Sequence, residues 1–232
     1  MIPLVHDLSG ETVLVFGGGN VATRKAKRFV SEARLIVVSP TFTDELRSLA
    51  EDRSLELVRD APDPDGVREL VDRISPALIV AATDDPAVNA AAEAEAHERG
   101  VLVNRTDVSG ARDSGSVVVP ATVEDGPVTV AITTGANSPA LARHLRERIE
   151  AEIEGAGELA RITGDLRAEL AEREVPPEGR REALRAVVRS PDVWKALQVG
   201  GANPRQTARR VAEGTCTDDG IERRTDDGTR KS

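Results

Sequence analysis

A glycine-rich turn at residues 17–22 (GGGNVA) has the clearest chemical meaning in this sequence. It fits the pattern G-x-G-x-x-A, follows the apolar run 12–16, and precedes a segment with helical periodicity. In that setting Gly17 allows a tight turn, Gly19 lets a pyrophosphate approach the backbone, and Ala22 allows close helix–strand packing. Because a helix N-terminus offers free N–H groups and a positive dipole end, the pattern predicts a dinucleotide site.

Polar residues also follow the second and fourth predicted strands. After the second strand come Ser39, Pro40 and Thr41, where many dinucleotide enzymes place an Asp or Glu against the adenosine ribose. No arginine follows immediately to bind a 2′-phosphate, so the sequence favours NAD over NADP. Thr83 follows the fourth strand and is expected on the nicotinamide side of the cofactor. The two aspartates after it are interpreted as turn and cap residues.

Asp107 is the candidate catalytic carboxylate. It ends the segment 104–107, which follows the fifth predicted strand and therefore lies at the expected ligand crevice. A carboxylate there can accept a proton while a hydride leaves the substrate; the alternative is an aspartate that caps a loop. The sequence predicts no metal site, because His6, His97 and His144 lack metal-ligand spacing and there is a single cysteine.

The elements that must position these residues alternate between apolar runs and helical patterns. Such alternation predicts βαβ units, right-handed crossovers and a doubly wound, Rossmann-like parallel sheet. The predicted strands are 12–16, 35–38, 55–58, 78–82 and 101–103, and the predicted helices are 21–32, 43–51, 67–72 and 86–99. The loop 60–66 separates the third strand from its helix, Asp85 is the expected N-cap of the fourth helix, and Gly100 is its expected C-terminal stop.

The pattern changes in the second half of the chain. Residues 116–120 and 128–132 are expected to form an antiparallel strand pair, and a helix starts at Pro139 with Ser138 as N-cap. Helices broken at prolines follow, and the last segment is polar enough to be expected disordered. The predicted organisation is a nucleotide-binding domain (1–112), a dimerisation and substrate region (113–150), a helical C-terminal domain (151–214) and a tail (215–232).

Composition limits the possible partners. The chain has 40 acidic and 31 basic residues, and 27 of the basic residues are arginine. This acidic, lysine-poor and aromatic-poor composition is similar to that of proteins from salt-loving organisms and argues against nucleic-acid binding. No apolar run is long enough to span a bilayer, and the first residues lack a secretory pattern, so a cytoplasmic location is expected.

Four segments, taken in order and spacing, resemble the precorrin-2 dehydrogenase family, the dehydrogenase/ferrochelatase module of siroheme synthase. The resemblance covers the first 150 residues and rests on segments 15–26, 81–89, 103–107 and 133–143. It implies oxidation of precorrin-2 to sirohydrochlorin with reduction of NAD. It also implies that Asp107 is the general base.

The resemblance adds site residues and a partner. It places NAD contacts at Asn20, Val21, Pro40 and Thr41, and a substrate-region residue at Thr134. It also implies a homodimer in which strands around 116–132 exchange between subunits. With the reasoning above, the expected cofactor contacts are Gly17, Gly18, Gly19, Asn20, Val21, Ser39, Pro40, Thr41 and Thr83. The expected substrate contacts are Asn104, Arg105, Thr134, Ser138 and Arg143.

A polycarboxylate substrate requires a local arginine cluster within this acidic protein. The candidates flanking the predicted crevice are Arg105, Arg112, Arg143 and Arg146. The sequence departs from the family at Asn20, which is often aspartate in relatives. The additional methyltransferase domain of the trifunctional relatives is not expected among these residues, so methylation to form precorrin-2 is expected to occur elsewhere.

Three functional alternatives remain open from the sequence. The enzyme could also insert a metal into sirohydrochlorin, because Asp107 suits removal of pyrrole protons as well as dehydrogenation. A nucleotide-sensing regulatory module of a transporter also combines a glycine turn with a segment like Thr83-Asp84-Asp85. Such modules, however, usually keep an acidic residue where Ser39 stands. The third alternative is an unrelated small-molecule dehydrogenase.

Overall fold

A computed structural model describes residues 3–51, 55–108, 115–135, 137–199 and 202–225, with only the backbone considered for 216–225. The chain divides into two compact units, Met1–Val119 and Pro120–Ser232. Each unit is described by itself below. Arg112, one of the arginines expected at the substrate, lies outside the described residues.

Within its described residues, the first unit has one parallel sheet of five strands in the order β3-β2-β1-β4-β5. This order confirms the predicted doubly wound sheet, in which the strand order reverses beside β1. The strands are β1 (Thr12–Phe16), β2 (Arg34–Ser39), β3 (Leu55–Arg59), β4 (Leu78–Ala81) and β5 (Leu102–Arg105). The helices are α1 (Asn20–Phe29), α2 (Asp44–Glu51), α3 (Pro64–Ile74) and α4 (Pro86–Arg99).

Alternation along β1 produces two cores, one on each face of the sheet. Val13 and Val15 pack with the buried face of α1, which includes Ala22 and Phe29. Leu14 and Phe16 face the other way and pack with apolar residues of α3 and α4. Because both faces are covered, the central strands are continuous apolar runs, as a buried parallel sheet requires.

Local capping signals set the helix ends. The carboxylate of Asp85 accepts hydrogen bonds from the backbone N–H groups of residues 87 and 88, and Gly100 ends α4 with a φ of 67°, so both predictions are confirmed. Asp63 caps α3 in the same way and Pro64 occupies its first turn. The prediction that α3 spans only 67–72 is therefore wrong, because the presumed loop residues Asp63 and Pro64 begin the helix.

The second unit begins with a β-hairpin whose first strand lies later than predicted. β6 (Ala121–Asp125) pairs antiparallel with β7 (Val128–Ile132). The prediction of a hairpin strand at 116–120 is wrong. The N–H of Val117 donates to the carbonyl of Val103 at 2.8 Å, and Val117 and Val119 pack against the core of the first unit. The apolar run at 116–120 thus serves the parallel sheet instead of the hairpin.

Helices make up the rest of the second unit. They are α5 (Pro139–Glu152), α6 (Ala156–Glu172), α7 (Pro177–Arg189), α8 (Pro191–Gln198) and α9 (Pro204–Thr225). The side chain of Ser138 caps α5, as predicted. Leucines of α6 pack with α7, α8 and α9 to form the core.

The end of α9 differs from the sequence expectation. Ala208 and Ala212 are buried in the core of the second unit and anchor α9, whose backbone continues helical to Thr225. Residues 215–225 are therefore helical although disorder is expected there, and 226–232 lie outside the described residues. None of the described helices is both long and apolar enough to cross a membrane.

Candidate functional site

The turn after β1 uses its first two glycines for close packing. Gly17 has a φ of +112°, and a Cβ there would lie 2.3 Å from the carbonyl oxygen of Ala82. A Cβ on Gly18 would lie 2.0 Å from the carbonyl oxygen of Thr41 and 2.8 Å from the hydroxyl of Ser39. The loop after β2 thus crosses directly over Gly18, and any side chain there would displace backbone.

The reason for glycine at position 19 differs from that at positions 17 and 18. Its backbone is extended, with φ −83° and ψ −172°, and a Cβ there would meet nothing within 4 Å. Neither strain nor internal packing therefore requires glycine at this position. The open space lies at the start of α1, where no side chain caps the helix and no acidic residue occupies the first turn. This arrangement fits the diphosphate of a dinucleotide, which needs close backbone approach and free N–H groups.

Thr23 holds the start of α1 to the loop after β2. Its hydroxyl donates to the carbonyl of Gly19 at 3.0 Å and lies 2.8 Å from the hydroxyl of Thr43. The N–H of Thr43 in turn donates to the carbonyl of Gly18 at 3.1 Å. These bonds fix the glycine turn against the loop after β2, so the backbone around Gly19 is held in place without a ligand.

A cavity of about 710 Å³ lies at the carboxyl ends of the strands. All nine residues expected to contact the cofactor line it, and so does Asp107. The structure thus brings the glycine turn and the candidate base into one space within the first unit. Sequence reasoning missed the part of the lining that comes from the loop after β3, namely Asp60, Ala61 and Pro62.

Asn89 shapes the loop after β4 and is also absent from the predicted site. It is 1% exposed, and its carbonyl oxygen accepts from the backbone N–H of Thr83 at 3.1 Å and from its hydroxyl at 2.8 Å. Its amide donates to the Thr83 carbonyl at 3.0 Å. The Thr83 side chain is therefore held in place before any ligand is considered.

Asp107 is paired with Arg105. The Nε of Arg105 lies 3.1 Å from Oδ1 of Asp107, and its Nη2 lies 2.7 Å from Oδ2. Nη1 of the same guanidinium donates to Glu93 of α4 at 2.8 Å. The hydrogen bond from Arg105 lowers the pKa of Asp107 below its usual range, and a contact with the Asn89 side chain acts in the same direction. Asp107 is consequently a carboxylate, ready to accept a proton, at neutral pH.

The two expected substrate contacts on β5 point to structural partners. Asn104 is 2% exposed, and its amide donates to the carbonyl of Val117 at 2.7 Å. Its side-chain oxygen is buried and has no hydrogen-bond partner within the described part of the chain. Arg105 is bound to Asp107 and Glu93 as described above. Asn104 thus holds the segment after β5, and Arg105 positions the candidate base.

The other expected substrate residues belong to the second unit. The hydroxyl of Thr134 accepts from the N–H of Ser138 at 3.3 Å and donates to its carbonyl at 3.1 Å, which closes the loop before α5. Arg143 and Arg146 form ion pairs one turn along α5 with Glu147 and Glu150. Their role toward a substrate stays a prediction. Within the described residues, no group of three or more His, Cys, Asp or Glu side chains could hold a metal ion.

Two family models match the chain. Residues 4–121 match the family described as putative NAD(P)-binding, and residues 125–152 match the one described as sirohaem biosynthesis protein central. The first match covers the whole parallel sheet and the glycine turn. The first unit is thus an NAD(P)-binding domain.

Curated relatives are siroheme synthases and a precorrin-2 dehydrogenase. The chain is 40% identical over 174 residues to the siroheme synthase of Pseudomonas paraeruginosa, covering 74% of this chain and 35% of that protein. It is 34% identical over 226 residues to that of Pseudomonas entomophila, covering 95% of this chain and 46% of that protein. The chain therefore spans less than half the length of these siroheme synthases.

A relative of similar length is the precorrin-2 dehydrogenase of Methanosarcina barkeri. It is 33% identical over 198 residues, which cover 84% of this chain and 86% of that protein. Among solved structures, the precorrin-2 dehydrogenase SirC matches the fold with a TM-score of 0.65 and 24% identity, over 92% of this chain and all of that one. These comparisons do not support a nucleotide-sensing module. The chain belongs to the precorrin-2 dehydrogenase and siroheme synthase family.

Proposed function

We propose that this protein oxidises precorrin-2 to sirohydrochlorin with NAD as hydride acceptor. The observation that carries the proposal is the single cavity that contains both the glycine turn at 17–19 and the Asp107 carboxylate. The reaction removes a hydride and a proton from precorrin-2, so it requires a hydride acceptor and a base in one space. Similarity to proteins named precorrin-2 dehydrogenase and siroheme synthase supports this choice of substrate.

The lining of the cavity favours NAD over NADP. Among its described lining residues there is no lysine or arginine, whereas Asp60, Asp84 and Asp85 supply negative charge. A 2′-phosphate would find no cationic partner there and would be repelled by these carboxylates. Ser39, at the end of β2, is 6% exposed and lies against Gly18.

The protein's own residues perform binding and proton transfer. The backbone at Gly19 and the free N-terminus of α1 would hold the diphosphate, and Thr83 would lie on the nicotinamide side. Bound NAD supplies the electrophilic ring that accepts the hydride. Asp107 accepts the proton, and Arg105 keeps the Asp107 carboxylate ionised and fixed in orientation.

We also propose a homodimer. Within the described residues, the β6–β7 sheet has only two strands, and α5 beside it has no buried side chain. A two-stranded sheet is marginally stable by itself, so these elements gain stability from a further covering surface. Light scattering at the working salt concentration tests this, and a monomer would contradict it.

The decisive experiment is anaerobic incubation with precorrin-2 and NAD while sirohydrochlorin absorbance is followed. We expect turnover with NAD, weaker turnover with NADP, and loss of about 100-fold or more in the Asp107→Ala variant. Absence of turnover in a protein that binds NAD would refute the proposed reaction.

Addition of Fe²⁺ or Co²⁺ to the product tests metal insertion as a second activity, and a rate equal to the enzyme-free control would exclude it.

A further inference from the structure

A groove of about 530 Å³ lies between α6 and α7 in the second unit. Four arginines line it, Arg167 from α6 and Arg181, Arg185 and Arg189 from α7. The three arginines on α7 are spaced four residues apart, so they form one stripe along the helix. Like charges at that spacing repel one another, and an anion over the stripe would relieve that repulsion.

None of these four arginines forms an ion pair with any described residue of this acidic chain. Two carboxylates of α6 are paired with arginines of another helix. The carboxylate of Asp165 lies 2.8 Å from Arg205, and that of Glu169 lies 2.7 Å from Arg209. Both of these arginines belong to α9. Within the described part of the chain, the arginines that line the groove are therefore unpaired, whereas Arg205 and Arg209 of α9 are held by carboxylates of α6.

The floor of the groove is apolar and open. Leu184 and Val188 line it, and Val188 is 45% exposed although it is a large hydrophobic residue. Gly164 lies in the middle of α6, where glycine costs helix stability, and a Cβ there would meet nothing within 4 Å. Internal packing thus leaves the glycine unexplained, whereas the lack of a side chain there keeps the floor open to a flat ligand.

We propose that this groove, the arginine groove, binds the carboxylate-bearing edge of the tetrapyrrole. This inference rests on the proposed function, which supplies a ligand with an apolar macrocycle and many carboxylates. The described arginines first expected to bind those carboxylates are engaged: Arg105 holds Asp107, and Arg143 and Arg146 are paired along α5. Unpaired guanidinium groups bind carboxylates with charge-assisted, bidentate hydrogen bonds, and an exposed apolar floor suits a macrocycle face.

The test measures binding of uroporphyrin, a stable porphyrin octacarboxylate, to the full chain by fluorescence anisotropy. The test variant is Arg181→Gln with Arg185→Gln, and the control is Arg148→Gln with Arg210→Gln. The control removes the same charge from exposed arginines outside the groove that form no ion pair with described residues. We expect the groove variant to bind about tenfold more weakly or worse, and the control to bind within twofold of wild type. Equal binding in all three proteins would overturn the proposal.

Gly164→Leu is a second variant that does not depend on charge. Leucine is a better helix former than glycine, and the space at this position is open, so the variant should be at least as stable as wild type. The added side chain fills the groove and should weaken uroporphyrin binding about tenfold. Unchanged binding in this stable variant would overturn the proposal. Full competition by inorganic tripolyphosphate would likewise overturn it, because the site would then recognise charge alone.

Kinetics with precorrin-2 separate this inference from the proposed function. If the wild-type protein turns over precorrin-2, the groove variants should raise KM about tenfold with a smaller change in kcat and unchanged NAD affinity. A normal KM in the groove variants would refute the groove while leaving the dehydrogenase assignment intact. If the wild-type protein does not turn over, the dehydrogenase assignment fails, and uroporphyrin binding still decides whether the groove holds a tetrapyrrole.

Discussion

Arg105 and Asp107 form a bidentate ion pair at the edge of the cavity at the carboxyl ends of the strands, with N–O distances of 3.1 and 2.7 Å. The arginine ends β5 and is also held by Glu93 of α4, so it is fixed from two sides. Its side chain is 14% exposed and that of Asp107 is 27% exposed. The pair therefore fixes both the direction and the charge of the proposed base, and two predictions depend on it.

The first prediction concerns the pH dependence of dehydrogenation. The proposed base must be ionised, and Arg105 lowers the pKa of Asp107, so the acid limb of kcat/KM should lie below the usual range of an aspartate. Arg105→Gln removes the largest cause of that shift, so the limb should move to higher pH. The measurement is kcat/KM against pH for both proteins.

A matched control for this variant is Arg68→Gln, which removes another arginine paired to a carboxylate of α4, in this case Glu95. Arg68 does not line the cavity, so its loss should leave the acid limb in place. If wild type and Arg105→Gln had superimposable acid limbs, Asp107 would not be the group that accepts the proton.

The second prediction concerns stability against pH. A carboxyl group whose pKa is lower in the folded than in the unfolded state stabilises the fold above its unfolded pKa. That stabilisation is lost as the pH falls through the folded pKa. Asp107 is such a group, so Asp107→Asn should lower the free energy of unfolding at neutral pH, and the difference from wild type should shrink in acid. Urea titrations at several pH values measure it, and a pH-independent difference would contradict it.

The third prediction contrasts two adjacent glycines. In Gly18→Ala the new Cβ would lie 2.0 Å from the carbonyl oxygen of Thr41, so we expect a loss of about 2 kcal/mol in unfolding free energy. In Gly19→Ala the new Cβ meets nothing within 4 Å, so the loss should be under about 1 kcal/mol. The Gly19 methyl group instead occupies the space assigned to the diphosphate, and NAD affinity should fall about tenfold.

Calorimetric NAD titration and urea unfolding of both glycine variants test this contrast. Each variant serves as the control for the other, because both add one methyl group in the same turn. If Gly19→Ala binds NAD like wild type, the diphosphate does not lie over Gly19, and the proposed cofactor position is wrong.

Much of the framework of the candidate site could be predicted from the sequence because local rules determine it. The N-cap at Asp85 and the stop at Gly100 follow from backbone hydrogen bonding within one turn. The parallel sheet then brings the ends of β1, β2, β4 and β5 to one edge, which gathers Gly17, Ser39, Thr83 and Asp107 around one cavity.

The sequence-based predictions failed where tertiary packing, and not the local sequence, determines the structure. Residues 116–120 and 121–125 both contain residue types that favour a strand, and the packing of Val117 and Val119 against the first core decides between them. Asn89 and Glu93 were missed because α4 is rich in alanine and its polar residues look solvated. Their spacing of four residues places both on one helix face, and that signal could have marked them as partners of Thr83 and Arg105.

The last prediction tests Asn89 as a positioning residue. In Asn89→Ala the backbone N–H of Thr83 loses its acceptor and the Thr83 hydroxyl keeps only the Asp85 carbonyl, so we expect a loss of about 2 kcal/mol in unfolding free energy and weaker NAD binding. Asn89→Asp keeps the acceptor but loses the amide that donates to the Thr83 carbonyl, and it places a negative charge beside Asp107. NAD binding should therefore recover only in part, while the acid limb of kcat/KM moves to higher pH. Thr83→Ser, which keeps the hydroxyl, is the control and should resemble wild type in both measurements. If Asn89→Asp and Asn89→Ala shared one acid limb with wild type, Asn89 would act on the loop alone and not on the base.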